Sequence, residues 1–261
     1  MLISKIRNIG RQTLESAANI GRIVLLAYQA VIGLRYVRPR IWLQQIIEVG
    51  FFSLPVIGLT AAFSGLVLLL QSYAGLAELG SQTLAQQTAP RVVLTALVQE
   101  LGPVLAGLML AGRVGAAMAA ELGTMRVSEQ IDALQTLSTD PISYLVTPRL
   151  LAATITLPIL VLVANIIGIF AAYLIATVSL NFSGEVYIST TRESYQLTDV
   201  AIGLLKAAVF GFLIALISSY QGYYANGGAA GVGRATRQAV VLSSISILAA
   251  NYFITVRFFA A

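Results

Sequence analysis

Apolar residues along this chain of 261 residues gather into five long runs. These cover roughly Val49–Tyr73, Val92–Ala120, Leu150–Val178, Val200–Tyr220 and Gln238–Val256. About twenty apolar residues in a helix cross the ~30 Å hydrocarbon layer of a bilayer, and each run is long enough to do so. Between them lie a polar loop (Ala74–Arg91), a charged segment (Glu121–Arg149), a second polar loop (Ser179–Asp199) and a glycine-rich loop (Gln221–Arg237). The pattern predicts an all-α polytopic membrane protein. An odd number of spans and the lack of an internal repeat argue against two inverted halves within one chain.

A shorter apolar run, Ile23–Leu34, is broken by Gln29 and flanked by Arg22, Arg35, Arg38 and Arg40. A dozen residues fall short of a span, so this segment is expected to lie in the interface rather than to act as a cleaved signal sequence. The chain thus divides into a basic, amphipathic N-terminal region (1–47) and a membrane domain (48–261).

Composition supports this reading and narrows the chemistry. Hydrophobic residues make up 57% of the chain and charged residues only 10%, and mean hydropathy is +0.84, more apolar surface than one water-soluble core of this size would bury. The net charge of +5 gains meaning from its placement. With the N-terminus in the cytoplasm, Lys5, Arg7, Arg11, Arg22, Arg35, Arg38, Arg40, Arg113, Arg126, Arg149, Arg234 and Arg237 fall inside. Only Arg91, Arg192, Lys206 and Arg257 fall outside or toward the outer face. The positive-inside rule therefore predicts N-in and C-out. There is no Cys and no His, which removes disulfides, thiolate nucleophiles, the commonest general base and the usual catalytic zinc ligand.

Few residues remain that could carry chemistry. Gln99 and Glu100 precede Gly102-Pro103 at hydrocarbon depth, where an unpaired carboxylate costs several kcal/mol, so Glu100 is expected to meet a protein partner, a wet cavity or a polar ligand. Asp199 and Lys206 share a helical face about two turns apart, too far for a direct pair. Either could reach a third group such as Glu100, or Asp199 could cap its helix while Lys206 snorkels outward. Gly107, Ala111, Gly115 and Ala119 form a small-residue strip expected to make a tight helix contact, between two copies in one version. Val127, Ile131 and Leu134 suggest a short amphipathic cytoplasmic helix at about 123–137, resting on the membrane or docking a partner. Thr147-Pro148 and Asp140-Pro141 read as helix starts, and Pro55 and Pro158 as kinks within spans.

The glycine-rich loop is no nucleotide site. Gly228 and Gly233 have P-loop spacing, but Arg234-Ala235 stand where Lys-Ser/Thr is required, and Thr236 replaces the third glycine of a dinucleotide motif. A lysine-based serine mechanism has no convincing partner for Lys5 or Lys206. Tyr28, Tyr36, Trp42, Tyr73, Tyr144, Tyr220, Tyr223 and Tyr224 sit near span ends as an interfacial belt.

The block ELGPVLAGLMLAGRVGAAMAAELGTMRVSEQIDALQTLSTDPISYLVTPRLLA (Glu100–Ala152), with FSGLVLLLQSYA upstream and GYYANGGAAGVGRATRQAVV downstream, resembles the MlaE/YrbE permease family, which includes the plastid trigalactosyldiacylglycerol permease. The resemblance implies a homodimeric permease of an ATP-binding-cassette lipid transporter in a bacterial inner membrane, a plastid inner envelope being the alternative. It also implies a cytoplasmic ATPase, an MCE-domain lipid-binding protein, a membrane-lipid substrate and no nucleic acid. The chain itself needs no cofactor and is not an enzyme, ATP being used by the partner. By the same resemblance the segment near Met125–Leu134 becomes a coupling helix, with Glu121, Arg126, Glu129 and Asp132 as ATPase contacts. Gln71, Tyr73 and Glu100 would lie near lipid between two copies, and Gln99, Asp199 and Lys206 match polar positions. Many relatives carry arginine where this chain has Gln99, which leaves the lipid headgroup open. The competing classes are a self-powered transporter or channel, which needs more ionisable groups in the spans, and a membrane lipid enzyme, which needs an acid–base pair.

Overall fold

The computed structural model describes residues 18–78 and 82–259, and these are almost entirely helical, with short turns between helices and no strand among them. Helix α1 covers 18–32 and passes through a 3₁₀ turn, Gly33–Tyr36, into α2 (Pro39–Val49), whose Pro39 occupies the first turn, where its missing N–H costs nothing. Lys5, Arg7 and Arg11 of the predicted basic region lie outside the described residues. Arg22 and Tyr28 of α1 stay exposed, whereas Leu26 and Ala30 are buried in the main core, so α1 is anchored by its apolar stripe.

The first crossing helix begins earlier than the hydropathy run. It extends from Pro39 to Glu78, bending at Gly50 and a 3₁₀ turn (Phe51–Ser53) before α3 (Leu54–Glu78). Pro55 therefore falls in the first turn of α3, inside this crossing and directly after the 3₁₀ turn. A Cβ on Gly50 would stand 2.6 Å from Thr156 Cγ2, so glycine permits the close approach of this bend to α8.

The second crossing is one long helix with two π-turns: α4 (Gln82–Ala96), Leu97–Leu101, α5 (Gly102–Leu110), Ala111–Gly115 and α6 (Ala116–Val127). The chain reverses at Ser128–Glu129, where Glu129 takes the left-handed conformation (φ 59°), and α7 (Gln130–Thr136) follows. Val127 thus belongs to α6 and is exposed, while Ile131 is fully buried and Leu134 packs beside it. The expected single helix over 123–137 is two helices, because the reversal separates Val127 from the apolar face.

Asp140 does start a helix, its carboxylate accepting from the Ile142 and Ser143 amides and the Ser143 hydroxyl. Thr147 caps nothing. A π-turn (Ile142–Val146) leads straight into α8 (Thr147–Val178), and the Thr147 hydroxyl donates instead to the Ala30 carbonyl of α1 at 3.1 Å. Pro158 lies within α8 as expected, and Pro90 lies within α4. The second polar loop holds a further helix, α9 (Gly184–Ser194), before α10 (Leu197–Tyr223) and α11 (Gly228–Phe259). Hydropathy marks only what lipid touches, so polar helix extensions beyond the bilayer read as loops.

Helix α8 is the central post, with α2, α3, α5 and α10 packed around it. Backbones touch at small residues: a Cβ on Gly65 would fall on the Gly168 carbonyl, and one on Gly211 on the Ala153 carbonyl. The Gly107–Ala119 strip makes its tight contact inside the protomer and not between copies. Gly107 faces Phe210 and Ile247, Gly115 faces Ser218, and a Cβ on Gly222 would stand 2.7 Å from the Ala119 carbonyl.

Candidate functional site

Proline chemistry sets up the membrane-depth site. Pro103 has no N–H, so the carbonyl of Gln99, four residues earlier, loses its helical donor. The π-turn Leu97–Leu101 accommodates the ring, and the freed carbonyl accepts a hydrogen bond from Lys206 Nζ at 2.8 Å. Gly203, one turn before Lys206 on α10, allows this approach, since a Cβ there would collide with the Val98 carbonyl.

Lys206 is completely buried. Its ammonium also donates to Glu100 Oε1 at 2.7 Å and to Thr255 Oγ1 at 2.8 Å. Thr255 Oγ1 in turn donates to Glu100 Oε1 at 2.8 Å, and Asn251 Nδ2 donates to Glu100 Oε2 at 2.7 Å. One carboxylate, one ammonium and two neutral side chains thus tie α10 and α11 to the turn before α5. The Glu100 side chain keeps 36% of its surface exposed while Lys206 keeps none, so the cation is consumed internally and one edge of the carboxylate faces outward. A buried ion pair of this kind is tolerated only because additional hydrogen bonds satisfy the groups around it.

Of the sequence-predicted residues, Gln99, Glu100 and Lys206 come together; the snorkelling alternative for Lys206 is overturned by its burial. Asp199 lies in the first turn of α10 and, among the described residues, forms no ion pair with this network. Gln71 is exposed on α3, and Tyr73 packs edge-on against Phe182, ring centroids 5.3 Å apart; neither touches Glu100. Asn251 and Thr255 were not anticipated. They continue a stripe at intervals of four, Ala235, Ala239, Ser243, Ile247, Asn251 and Thr255, whose first four members are buried. Two polar residues in register at the end of that stripe were the available signal.

At the opposite end, Glu121 pairs with Arg149 at 2.9 Å and joins α6 to α8. Arg126 pairs with Asp132 at 2.6 Å across the reversal, and Glu129 is exposed at its apex. In the loop between α8 and α10, Tyr187 of α9 is buried against Tyr173, and burial pushes its phenol up to about 12.

These features define a polytopic helical membrane protein with a charged clasp at membrane depth and a charged reversal at one end. The chain belongs to the MlaE permease family: the model described as permease MlaE matches residues 42–257. A probable ABC transporter permease of Rickettsia felis is 49% identical over 99% of both chains. The Haemophilus influenzae intermembrane phospholipid transport system permease protein MlaE is 30% identical over 100% of both. The chloroplastic protein trigalactosyldiacylglycerol 1 of Arabidopsis thaliana is 36% identical over 83% of this chain and 61% of its own length.

Proposed function

We propose that two copies of this permease hold a membrane lipid between them and pass it across or out of a bacterial inner membrane, powered by a separate cytoplasmic ATPase and served on the far side by an MCE-domain protein. The observation that carries this reading is the outward edge of Glu100. It lies at hydrocarbon depth, partly exposed in the single protomer, with its countercharge already buried behind it. A charged group that is paired yet partly open at this depth can take a polar guest on its open side, and a lipid headgroup is the polar guest a membrane supplies. Relatives named for phospholipid and for trigalactosyldiacylglycerol agree with a lipid cargo. Gln99 and the exposed Gln71 complete the polar lining in this reading, while Asp199 and Tyr73 stand toward its outer end.

The N-terminus and the α6–α7 reversal are cytoplasmic in this scheme, which the distribution of arginines supports. Glu129, at the apex, and the Arg126–Asp132 pair form the ATPase-facing knob, and the Glu121–Arg149 bridge carries its displacement into α8. The test is the lipid content of the purified complex. Glu100→Ala and Glu100→Lys should each change the amount or headgroup profile of co-purifying lipid measured by mass spectrometry; a profile identical to wild type refutes the site.

A further inference from the structure

The glycine-rich turn between α10 and α11, which is no nucleotide loop, builds a second polar cavity far from Glu100. It encloses about 740 Å³ between α1, the end of α10 and the start of α11. Three arginines converge on it: Arg22 from α1, and Arg234 and Arg237 from α11, with Asn19, Tyr220 and Gln238 among the other walls. No carboxylate lines it among the described residues, and none of the three arginines takes part in the ion pairs of those residues. Their protein contacts are long: Arg234 to the Asn226 carbonyl and Arg237 to the Gly233 carbonyl, both 3.4 Å.

The turn is shaped to hold this arrangement. Gly227 has φ +90°, and a Cβ there would stand 3.0 Å from Arg234 Nη2, so glycine leaves room for the guanidinium beside the loop. Arg234 and Arg237 are three residues apart on one helical face, where like charges repel. A third cation from α1 adds to that cost. An anion entering the cavity relieves that repulsion, and guanidinium groups match phosphate oxygens two at a time. Toward the membrane the same cavity is walled by the exposed Val241 and Leu242 of α11, giving a cationic floor below an apolar lip.

We infer that the Arg22–Arg234–Arg237 cavity binds a phosphate group, supplied by the headgroup of an anionic phospholipid in the leaflet beside α1. The lipid source of that phosphate rests on the reading of the chain as a lipid permease; the phosphate chemistry does not. The site would be a loading or waiting station, separate from the Glu100 clasp.

The test uses the full-length protein in nanodiscs of phosphatidylcholine doped with phosphatidylglycerol or with uncharged diacylglycerol. Native mass spectrometry counts the lipids retained on release. Wild type should retain phosphatidylglycerol in preference to diacylglycerol, and Arg234→Gln with Arg237→Gln should lower that retention by about tenfold or more. The corresponding Lys pair, which keeps the charge, should recover part of it. In a Glu100→Gln background, whose own lipid content is expected to change, the Gln pair should still remove the preference for phosphatidylglycerol over diacylglycerol, which separates this inference from the Glu100 site. Displacement by excess inorganic phosphate, with broadening of its phosphorus resonance in wild type only, would assign the same chemistry to free phosphate; failure to displace assigns it to the lipid. Equal phosphatidylglycerol retention by wild type and the Gln pair, in proteins of matching helicity and elution, overturns the proposal, as does an effect of the Gln pair that vanishes in the Glu100→Gln background.

Discussion

Cutting the Glu100–Lys206 clasp from either side should give unequal losses, and the inequality follows from burial. Glu100→Gln leaves an ammonium with no exposed surface, still donating to the Gln99 carbonyl and the Thr255 hydroxyl but without its countercharge. Leaving one member of a buried pair charged and unpaired costs about 3–5 kcal/mol. Lys206→Met leaves a carboxylate that is 36% exposed and keeps its donors Asn251 and Thr255, so solvation offsets part of the loss and about 1–3 kcal/mol is expected. The double variant removes both charges, so its loss should fall well below the sum of the single losses, with a coupling of about 2 kcal/mol. Unfolding by sodium dodecyl sulfate in mixed micelles, followed by far-ultraviolet circular dichroism, measures all three. A larger loss for Lys206→Met than for Glu100→Gln, or additivity within about 0.5 kcal/mol, would refute the clasp as described.

Gly65→Ala should destabilise by about 2 kcal/mol or more, because the new methyl falls on the Gly168 carbonyl. Gly112→Ala, which meets nothing within 4 Å, should be neutral or mildly stabilising in the same titration. Glu129→Arg or Asp132→Arg should abolish permease-stimulated ATP hydrolysis while leaving membrane insertion intact; unchanged stimulation would remove the α6–α7 reversal from coupling. Glu129→Gly, which relieves a left-handed backbone at φ 59°, should raise thermal stability by up to about 1 kcal/mol. Tyr187, whose phenol is pushed from 10.0 up to about 12, should contribute stability that is complete below its unfolded value and lost as pH rises between the two values, since the unfolded chain then releases the proton first. Tyr187→Phe should remove a late-titrating component from the tyrosinate absorbance.

Five crossings, the helical class and the membrane-depth acid were legible along the chain, because lipid imposes a length and a polarity on whatever touches it. That constraint acts residue by residue and needs no knowledge of neighbours. The Asp140-Pro141 start was legible for the same local reason, as its carboxylate serves amides two and three residues away. Thr147-Pro148 carries an equally local signal, yet a preceding π-turn runs the helix through it, and only the packing of Thr147 on α1 shows what that hydroxyl does.

Tertiary structure decided which polar groups meet. Lys206 and Glu100 are separated by 106 positions, and Thr255 and Glu100 by 155; no periodicity within one helix reports a contact between two. Whether Lys206 snorkels or turns inward depends on the Gln99 carbonyl that Pro103 releases on another helix. The small-residue strip shows the same division: its spacing announces close approach, but only the fold reveals that α10 and α11 of the same protomer fill it. Sequence fixes what each helix must hide from lipid, and the arrangement of helices fixes from whom it hides it, because burial energy is indifferent to partner while hydrogen bonds and backbone contacts are not.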